Sequence, residues 1–300
     1  MSAHWPVNKV TGLLIVGLIL IYAKIRKSMA KIPMVPPYLL TLPDANTISM
    51  KDISDILLNR STIRKYLADP VDEVLLNSIL EEGCRASNTG NMQVYSIIVT
   101  RDEAIRKALA PSHFNQKMVT EAPVLLTFCA DFNRFVKWCN LREATPGYDN
   151  FLSFMTAAID ALIVAQTVCI AAESRGLGIC YLGTTTYMAH KIIDTLKIPR
   201  GVVPVTAVTL GWPAETPEQT DRLPVQAVTH KEVYQDYSDE DITFFYSAKE
   251  EREDSLQFIR ENNKATLAQV FTDVRYKKED NVNFSRILLE VLKDQGFMNQ

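Results

Sequence analysis

Two arginines four residues apart are the first residues in this chain whose spacing could do chemistry. The stretch NRSTIRKYL, residues 59 to 67, places Arg60 and Arg64 at that spacing, with Ser61 beside the first. Residues four apart point the same way in a helix and in a strand, so both guanidinium groups can face one ligand. Guanidinium groups match phosphate oxygens in pairs, and a serine hydroxyl adds a donor. The stretch therefore predicts a phosphate-binding fork, with a solvated basic turn as the alternative.

Two other polar stretches could meet a ligand. RASNTGNMQ, residues 85–93, presents the amides of Asn88 and Asn91 around Gly90, which lets the backbone approach a ligand closely. GLGICYLGTTT, residues 176–186, ends in threonines at a predicted helix start, where free N–H groups favour an anion or a polar ring edge. Taken alone, each stretch is a weak signal, and an ordinary polar loop is the alternative.

Several enzyme classes are disfavoured by motifs that the sequence lacks. It contains no GxSxG elbow, no Walker loop and no glycine-rich dinucleotide fingerprint after a strand. The histidines are too scattered for a zinc site, and no CxxC pair occurs, so we expect no metal. The five cysteines are interpreted as reduced, mostly buried thiols, which favours a compartment that is cytosolic or faces the cytosol.

Composition predicts a globular chain with an unevenly distributed charge. The 300 residues are 47% hydrophobic and 22% charged, enough for a well-buried core in one or two domains. The net charge is -3, and the positive excess is confined to residues 1–50. An acidic body makes a nucleic-acid groove unexpected.

Residues 1–49 are predicted to be an apolar segment followed by a linker, and residues 50–300 the folded domain. Residues 10–23 are uncharged, and as a helix they are about 21 Å long against about 30 Å of hydrocarbon. The segment spans a bilayer only if the lysines that flank it snorkel to the interface. More positively charged residues follow this segment than precede it, which would keep the domain after it on the cytoplasmic side. The alternative is translation from Met50, which makes the protein simply cytoplasmic.

The pattern from residue 49 onward is one of mixed helices and strands. A helix is predicted to end near Asn59, and a second is predicted to begin after Asp72. Apolar, β-branched runs predict buried strands at residues 94–100, 123–131, 178–183 and 202–211. Between them lies a helix of about 25 residues, apolar on nearly every face, with Gly176 as its stop. Such a helix needs burial on all sides, which a partner subunit supplies.

Five motifs in order resemble a known family. They are RSTIRKY, ASNTGNMQ, FNQKMVTEAPVLLTFCADFNR, AAESRGLGICYLG, and LGWP with DRLP. Over about residues 50–236 the chain resembles the FMN-dependent nitroreductases, especially the NADPH-preferring nitroreductase and flavin reductase subgroup. The resemblance implies an α+β fold with a central mixed β-sheet flanked by helices, in a domain-swapped type of homodimer. It also implies an oxidoreductase that passes hydride from NAD(P)H through FMN to nitroaromatics, quinones or flavins by a ping-pong mechanism.

The resemblance assigns the site residue by residue, and it makes the flavin, not a protein side chain, the catalytic group. The FMN phosphate would be held by Arg60, Ser61, Arg64 and Arg222. Asn88 and Asn91 would face the flavin, often from the second subunit, and Gln116 would meet the ribityl chain and the ring edge. The stretch that would run past the flavin, with a backbone N–H near N5, is Tyr181, Leu182, Gly183 and Thr184.

Two departures from the subgroup leave alternatives open. Thr220 stands where the subgroup commonly has a phosphate-binding lysine, and only Lys249 and Arg252 offer charge for the NADPH phosphate, among acidic neighbours. The choice between NADPH and NADH is therefore open. The alternative functions are a membrane-tethered, flavin-dependent reductive dehalogenase resembling the iodotyrosine deiodinases, and a flavin-binding module without turnover.

Overall fold

Short polar side chains set where the helices begin. In the computed structural model, which describes residues 52–300, the first two helices are α1 (Ile53–Asn59) and α2 (Glu73–Gly83). The carboxylates of Asp52 and Asp72 accept hydrogen bonds from backbone N–H groups in the first turn of these helices. The predicted cap at Asp72 is confirmed. The apolar segment at residues 10–23 and the predicted domain 1–49 lie outside the described residues, so those predictions stand as they were.

The other elements follow in chain order. The helices are α3 (Glu103–Leu109), α4 (Met118–Glu121), α5 (Asn133–Leu141), α6 (Phe151–Glu173), α7 (Ala189–Leu196), α8 (Asp239–Glu250), α9 (Glu253–Glu261), α10 (Leu267–Val270) and α11 (Lys278–Asp294). The strands are β1 (Tyr95–Thr100), β2 (Val124–Asp131), β3 (Gly178–Leu182) and β4 (Val202–Gly211). All four predicted strands are thus present, and the α+β class is confirmed.

The strands form one sheet in the order β1-β2-β4-β3. Every pairing among the described residues is antiparallel, which corrects the expected mixed sheet. The physical reason is the position of β4. The connection from β2 through α6 to β3 makes those two strands parallel to each other, but β4 inserts between them and runs antiparallel to both.

Strand β2 separates two hydrophobic layers. Leu126 and Phe128 point into a cluster formed with α2 and α6, whereas Leu125 and Cys129 point into a cluster formed with α3, α4 and α7. Alternate residues of a strand face opposite sides, so a strand that is buried along its whole length is mostly apolar, and Thr127 and Asp131 are the polar residues of β2. Helices therefore cover both faces of the sheet, as predicted.

Helix α6 has one buried face and one exposed apolar face. It runs for 23 residues, and the chain leaves it through Gly176, which has a φ of 79°, as a helix stop requires. Its exposed apolar face consists of Phe151, Leu152, Met155, Ile159, Leu162 and Ile163. Among the described residues it is the one helix long and apolar enough to cross a bilayer, yet more than half of it is buried within the domain. This arrangement is typical of a core helix.

Candidate functional site

The segment that carries the arginine fork is pinned on both sides. On one side, the Ile63 N–H donates to the carbonyl of Ile179 in β3 at 3.0 Å. On the other, the Glu215 carboxylate accepts hydrogen bonds from the backbone N–H groups of Arg64 and Lys65 at 2.7 and 3.0 Å. Close packing against β3 requires a glycine there, because a Cβ on Gly178 would lie 2.6 Å from Ile63 Cγ1. The segment is therefore held along the edge of β3.

The two arginines of the fork differ in their partners. Arg60 Nε lies 3.4 Å from a carboxylate oxygen of Glu173, whose side chain is only 10% exposed. Burial raises the pKa of Glu173, and the charge of Arg60 partly opposes that shift. Arg64 is exposed, and its side chain forms no hydrogen bond or ion pair with a described residue. Arg64 therefore offers its whole charge to a ligand, whereas Arg60 shares its charge with Glu173.

The loop after β4 carries Arg222 toward the same segment. Gln219 Nε2 donates to the carbonyl of Leu58 near the end of α1. Three residues later, Arg222 Nη1 donates to Thr220 Oγ1 at 2.9 Å and to the carbonyl of Asp221 at 2.7 Å. The guanidinium thus folds back on its own loop, and the Thr220 hydroxyl occupies its immediate neighbourhood.

The two cations considered for the NADPH phosphate both have acidic partners. Lys249 Nζ lies 2.9 Å from Asp221, and Arg252 Nε lies 2.9 Å from Asp254. Lys249 and Arg222 line one cavity of about 550 Å³ together with apolar residues of α10. A phosphate entering this cavity would have to compete with Asp221 for Lys249.

A buried histidine connects two of the assigned flavin contacts. His113 is almost fully buried, and its Nδ1 lies 2.9 Å from Thr184 Oγ1. Its carbonyl accepts a hydrogen bond from Gln116 Nε2 at 3.0 Å. Burial lowers the pKa of His113 to about 4, so the ring is neutral at pH 7. Sequence reasoning did not assign His113 to the site, and the one signal for it was its position three residues before Gln116.

Among the residues assigned to the flavin at the end of β3, the side chains of Tyr181 and Leu182 point into the protein, so only their backbone could meet a ligand. Leu182 is buried in the core, and Tyr181 packs against the α6 side of the sheet beside Cys169, where burial raises its pKa. Neither side chain is therefore directed outward. A side chain added at Gly183 would meet open space. A ligand at this end of β3 would meet the backbone of residues 181–183 and the side chain of Thr184.

The amide loop, residues 85–93, is fixed by a buried carboxylate in α6. Asp160 accepts hydrogen bonds from Thr89 N and Thr89 Oγ1 at 2.9 and 3.0 Å. This contact holds a turn with a left-handed backbone, since Gly90 and Asn91 both have a positive φ, near 57° and 55°. Asn88 Oδ1 is buried and finds no hydrogen-bond partner among the described residues. An unpaired buried acceptor is costly, so this oxygen is available to a donor on a ligand.

Within one chain, the amide loop and the arginine fork contact different parts of helix α6. Asp160 holds the amide loop, while Glu173, 13 positions further along the same helix, pairs with Arg60. At about 1.5 Å per residue, these anchor points are about 20 Å apart along α6. The contacts join the fork segment to β3 and to the loop that carries Arg222, and His113 joins Thr184 to Gln116, whereas the amide loop is anchored about 20 Å away along α6.

Comparison with known proteins identifies the family of this chain. Residues 57–212 match the sequence profile of the Nitroreductase family, a span that includes the fork, the amide loop and all four strands. The chain belongs to the nitroreductase family. The resemblance predicted from the five motifs is thus confirmed.

Individual relatives support the family at the level of sequence and of fold. This nitroreductase-family chain is 31% identical to the FMN reductase [NAD(P)H] of Bacillus subtilis over 256 residues, 83% of this chain and 98% of that protein. It is 33% identical to the oxygen-insensitive NADPH nitroreductase of Salmonella typhimurium over 186 residues, 62% of this chain and 76% of that protein. A crystal structure from Bacteroides fragilis, described only as an oxidoreductase, is 56% identical, with a TM-score of 0.81 over 82% of this chain and 100% of that one.

The residues present fit a flavin mononucleotide. Arg64 and Arg222 offer charge for a phosphate, and the side of Gly183 is open. These features match a ligand with an anionic end and a planar ring. Asn88 Oδ1, an acceptor without a partner among the described residues, lies apart from them in the amide loop. The individual contacts between these residues and FMN stay predictions.

Proposed function

We propose that the protein is an FMN-dependent oxidoreductase that passes hydride from NAD(P)H to nitroaromatics, quinones or flavins by a ping-pong mechanism. The observation that carries the proposal is the likeness to the FMN reductase [NAD(P)H] of Bacillus subtilis, which spans 98% of that protein. When bound, FMN supplies the two-electron chemistry, so the chain's own residues bind, orient and shield.

The phosphate end of the cofactor would be held by Arg64, Arg222 and Ser61. Charge-assisted hydrogen bonds to a phosphate are stronger than neutral ones, and Arg64 has no described side-chain partner to give up. Arg60 would contribute less, because Glu173 already neutralises part of its charge. The Glu215 contacts fix the backbone, so that the Arg64 side chain leaves the segment in a defined direction.

The ring end would be oriented by Gln116, Thr184 and the backbone of residues 181–183. His113 holds both side chains, because its ring Nδ1 bonds Thr184 Oγ1 and its carbonyl accepts a hydrogen bond from Gln116 Nε2. Because the ring of His113 is neutral at pH 7, this support does not change with pH in the physiological range. No protein acid is assigned to the reaction, since solvent can protonate the product.

A second copy of the chain would complete the site. Helix α6 is buried on one face, but its other face is apolar and exposed. An apolar surface of this kind is typically covered by another protein surface that is also apolar, which a second copy of α6 would supply. The separation of about 20 Å between the anchors of the amide loop and the fork agrees with amides that reach a flavin from the second copy. This supports a homodimer of the domain-swapped type.

The cofactor preference and the location are further parts of the proposal. With Lys249 and Arg252 both paired to carboxylates, we expect NADPH to be preferred over NADH by less than about a hundredfold. We also propose that residues 10–23 associate with a membrane while the catalytic domain faces the cytoplasm. Cell fractionation of the full chain, followed by carbonate extraction, tests this; recovery in the carbonate-soluble fraction contradicts it.

Steady-state oxidation of NAD(P)H by the purified full chain tests the activity. The protein should be yellow, contain one FMN per subunit and oxidise NADPH with a nitroaromatic, giving parallel lines in double-reciprocal plots. Intersecting lines would mean that donor and acceptor bind together. Release of halide from a halotyrosine would favour the dehalogenase, and a flavin-loaded protein with no turnover on any acceptor would favour the binding module.

A further inference from the structure

Three aromatic side chains from separate segments meet beside the candidate site. The rings of Tyr187 and Phe284 are stacked, with centroids 4.5 Å apart and an interplanar angle of 8°. The ring of Phe114 lies 6.2 Å from that of Phe284. Phe284 belongs to α11, which lies beyond the residues that match the family profile. The C-terminal helix therefore adds an element to the site that the family match does not cover.

The Phe114 ring is displayed at the cost of backbone strain. Phe114 has a left-handed backbone, with φ 54° and ψ 33°, a conformation that bulky residues rarely adopt. Asn115 is left-handed as well, and its N–H is fixed to the carbonyl of Ala110 at 2.9 Å. The result is an apolar ring that is 52% exposed rather than buried. Strain that holds a side chain in solvent is typical of a functional position.

The aromatic cluster borders the residues assigned to the flavin. Phe114 follows His113, whose ring lies 2.9 Å from Thr184 Oγ1, and precedes Gln116 by two positions. Tyr187 follows Thr184 by three positions, in the turn that leads to α7. Phe114 and Tyr187 therefore border the place that a planar molecule reacting beside Thr184 and Gln116 would occupy.

We propose that Phe114, Tyr187 and Phe284 form a stacking wall that selects planar aromatic electron acceptors over non-aromatic ones. The inference rests on the proposed function, because it names the acceptor class of that same site. Phe284 is already stacked on Tyr187, so the exposed ring of Phe114 is the one that offers a face to a substrate. Aromatic rings favour offset or tilted contacts at 4.5–7 Å between centroids, as within the wall itself.

The adenine ring of the donor is a less suitable occupant of the wall. Phe114 and Tyr187 lie two and three positions from Gln116 and Thr184, the residues assigned to the flavin, and Phe284 stacks on Tyr187. Adenine is remote from the reacting nicotinamide in NAD(P)H, so a wall for adenine would lie away from Thr184 and Gln116. A nitroaromatic or a quinone reacts through its own ring and fits this place.

The test compares acceptors on the FMN-loaded full-length protein. Phe114→Asn removes the ring while keeping a residue that tolerates a positive φ, and Phe284→Leu keeps an apolar side chain without a stackable ring. Phe244→Ala is the matched control, an exposed phenylalanine of α8 outside the wall. We expect kcat/KM for nitrobenzoate and benzoquinone to fall by about three- to tenfold in both wall variants. The kcat/KM for ferricyanide should stay within about twofold of wild type in both wall variants. In the control variant, kcat/KM should be unchanged for the aromatic acceptors and for ferricyanide.

Three results would overturn the inference. Equal losses with ferricyanide and the aromatic acceptors would mean a structural effect on the flavin. A raised KM for NADPH with an unchanged ratio between acceptors would assign the wall to adenine. An unchanged ratio and an unchanged KM in an active protein would leave the wall without a role. A wild-type protein that oxidises no NAD(P)H with any acceptor overturns the proposed function itself, and is thereby distinguished from these results.

Discussion

Arg60 and Glu173 form an ion pair that joins the arginine fork to the last turn of α6, with 3.4 Å between Arg60 Nε and the nearer carboxylate oxygen. The other oxygen of Glu173 is buried without a partner among the described residues. The pair therefore offsets only part of the cost of burying this carboxylate. Arg64, from the same motif, has no such partner within residues 52–300, so the two arginines are expected to respond differently to substitution.

The fork predicts separate effects on FMN affinity and on stability. Arg64→Ala should weaken FMN binding by about ten- to a hundredfold, the scale of one charge-assisted partner at about 1.5–3 kcal/mol. Arg60→Ala should instead lower the free energy of unfolding by about 3 kcal/mol, because it leaves Glu173 buried and unpaired. Fluorescence titration with FMN and urea unfolding measure the two quantities.

The double variant Arg60→Ala/Glu173→Gln is the control for this pair. Removing the carboxylate along with its partner should restore most of the lost stability, since no uncompensated charge remains. If Arg60→Ala leaves stability unchanged and weakens FMN as much as Arg64→Ala does, the ion pair carries no structural role.

Thr220→Lys should strengthen FMN binding by about 0.5–1.5 kcal/mol, the scale of a partly exposed charge contact. The new ammonium would lie beside Arg222, whose Nη1 is 2.9 Å from Thr220 Oγ1, and a bound phosphate would bridge the two cations. The gain should shrink with added salt, since screening acts over about 10 Å at 0.1 M. Thr220→Gln is the matched neutral control. Equal effects on FMN and on phosphate-free riboflavin would place residue 220 away from the phosphate.

His113 predicts a loss of stability in mild acid. Its pKa is lowered to about 4 in the folded chain from 6.5, so unfolding takes up a proton between those values. The contribution of neutral His113 to the free energy of unfolding is fully present above pH 6.5. It is lost as the pH falls toward 4, and the free energy of unfolding decreases by about 3 kcal/mol in total. His113→Asn keeps a polar atom near Thr184 without the titration. Urea unfolding at several pH values should show a shallower decline in this variant, and parallel declines would assign the acid sensitivity to other groups.

The exposed face of α6 predicts a dimer that a single charge disrupts. Ile159 is 50% exposed at the middle of this face, and burying a glutamate there against a second copy is costly. Ile159→Glu should raise the dimer dissociation constant by about a hundredfold or more in sedimentation experiments, and should reduce FMN content. Ile105→Glu, on α3 at the other face of the sheet, is the control and should remain dimeric. A wild-type chain that sediments as a monomer would contradict the dimer outright.

Local patterns in the sequence were sufficient to predict the strands, the start of α2 and the arginine fork of the candidate site. Asp72 marked the start of α2, and the four apolar runs marked the four strands, because caps and strand periodicity depend on residues a few positions apart. The same holds for the arginine fork, whose two members are four residues apart. The order of motifs was enough to predict the family.

The tertiary structure decided what joins these elements. We expected a mixed sheet, but β4 inserts between β2 and β3 and pairs antiparallel with both. No local pattern in β4 specifies which strands it pairs with, so the sequence could not show this order. Asp160 contacts Thr89 from 71 positions away, and His113 contacts Thr184 across the same separation. Arg60 meets Glu173 only because the β3 edge and the end of α6 pack together. Such contacts depend on packing between distant segments, and the sequence by itself shows the residue types without showing which of them become neighbours.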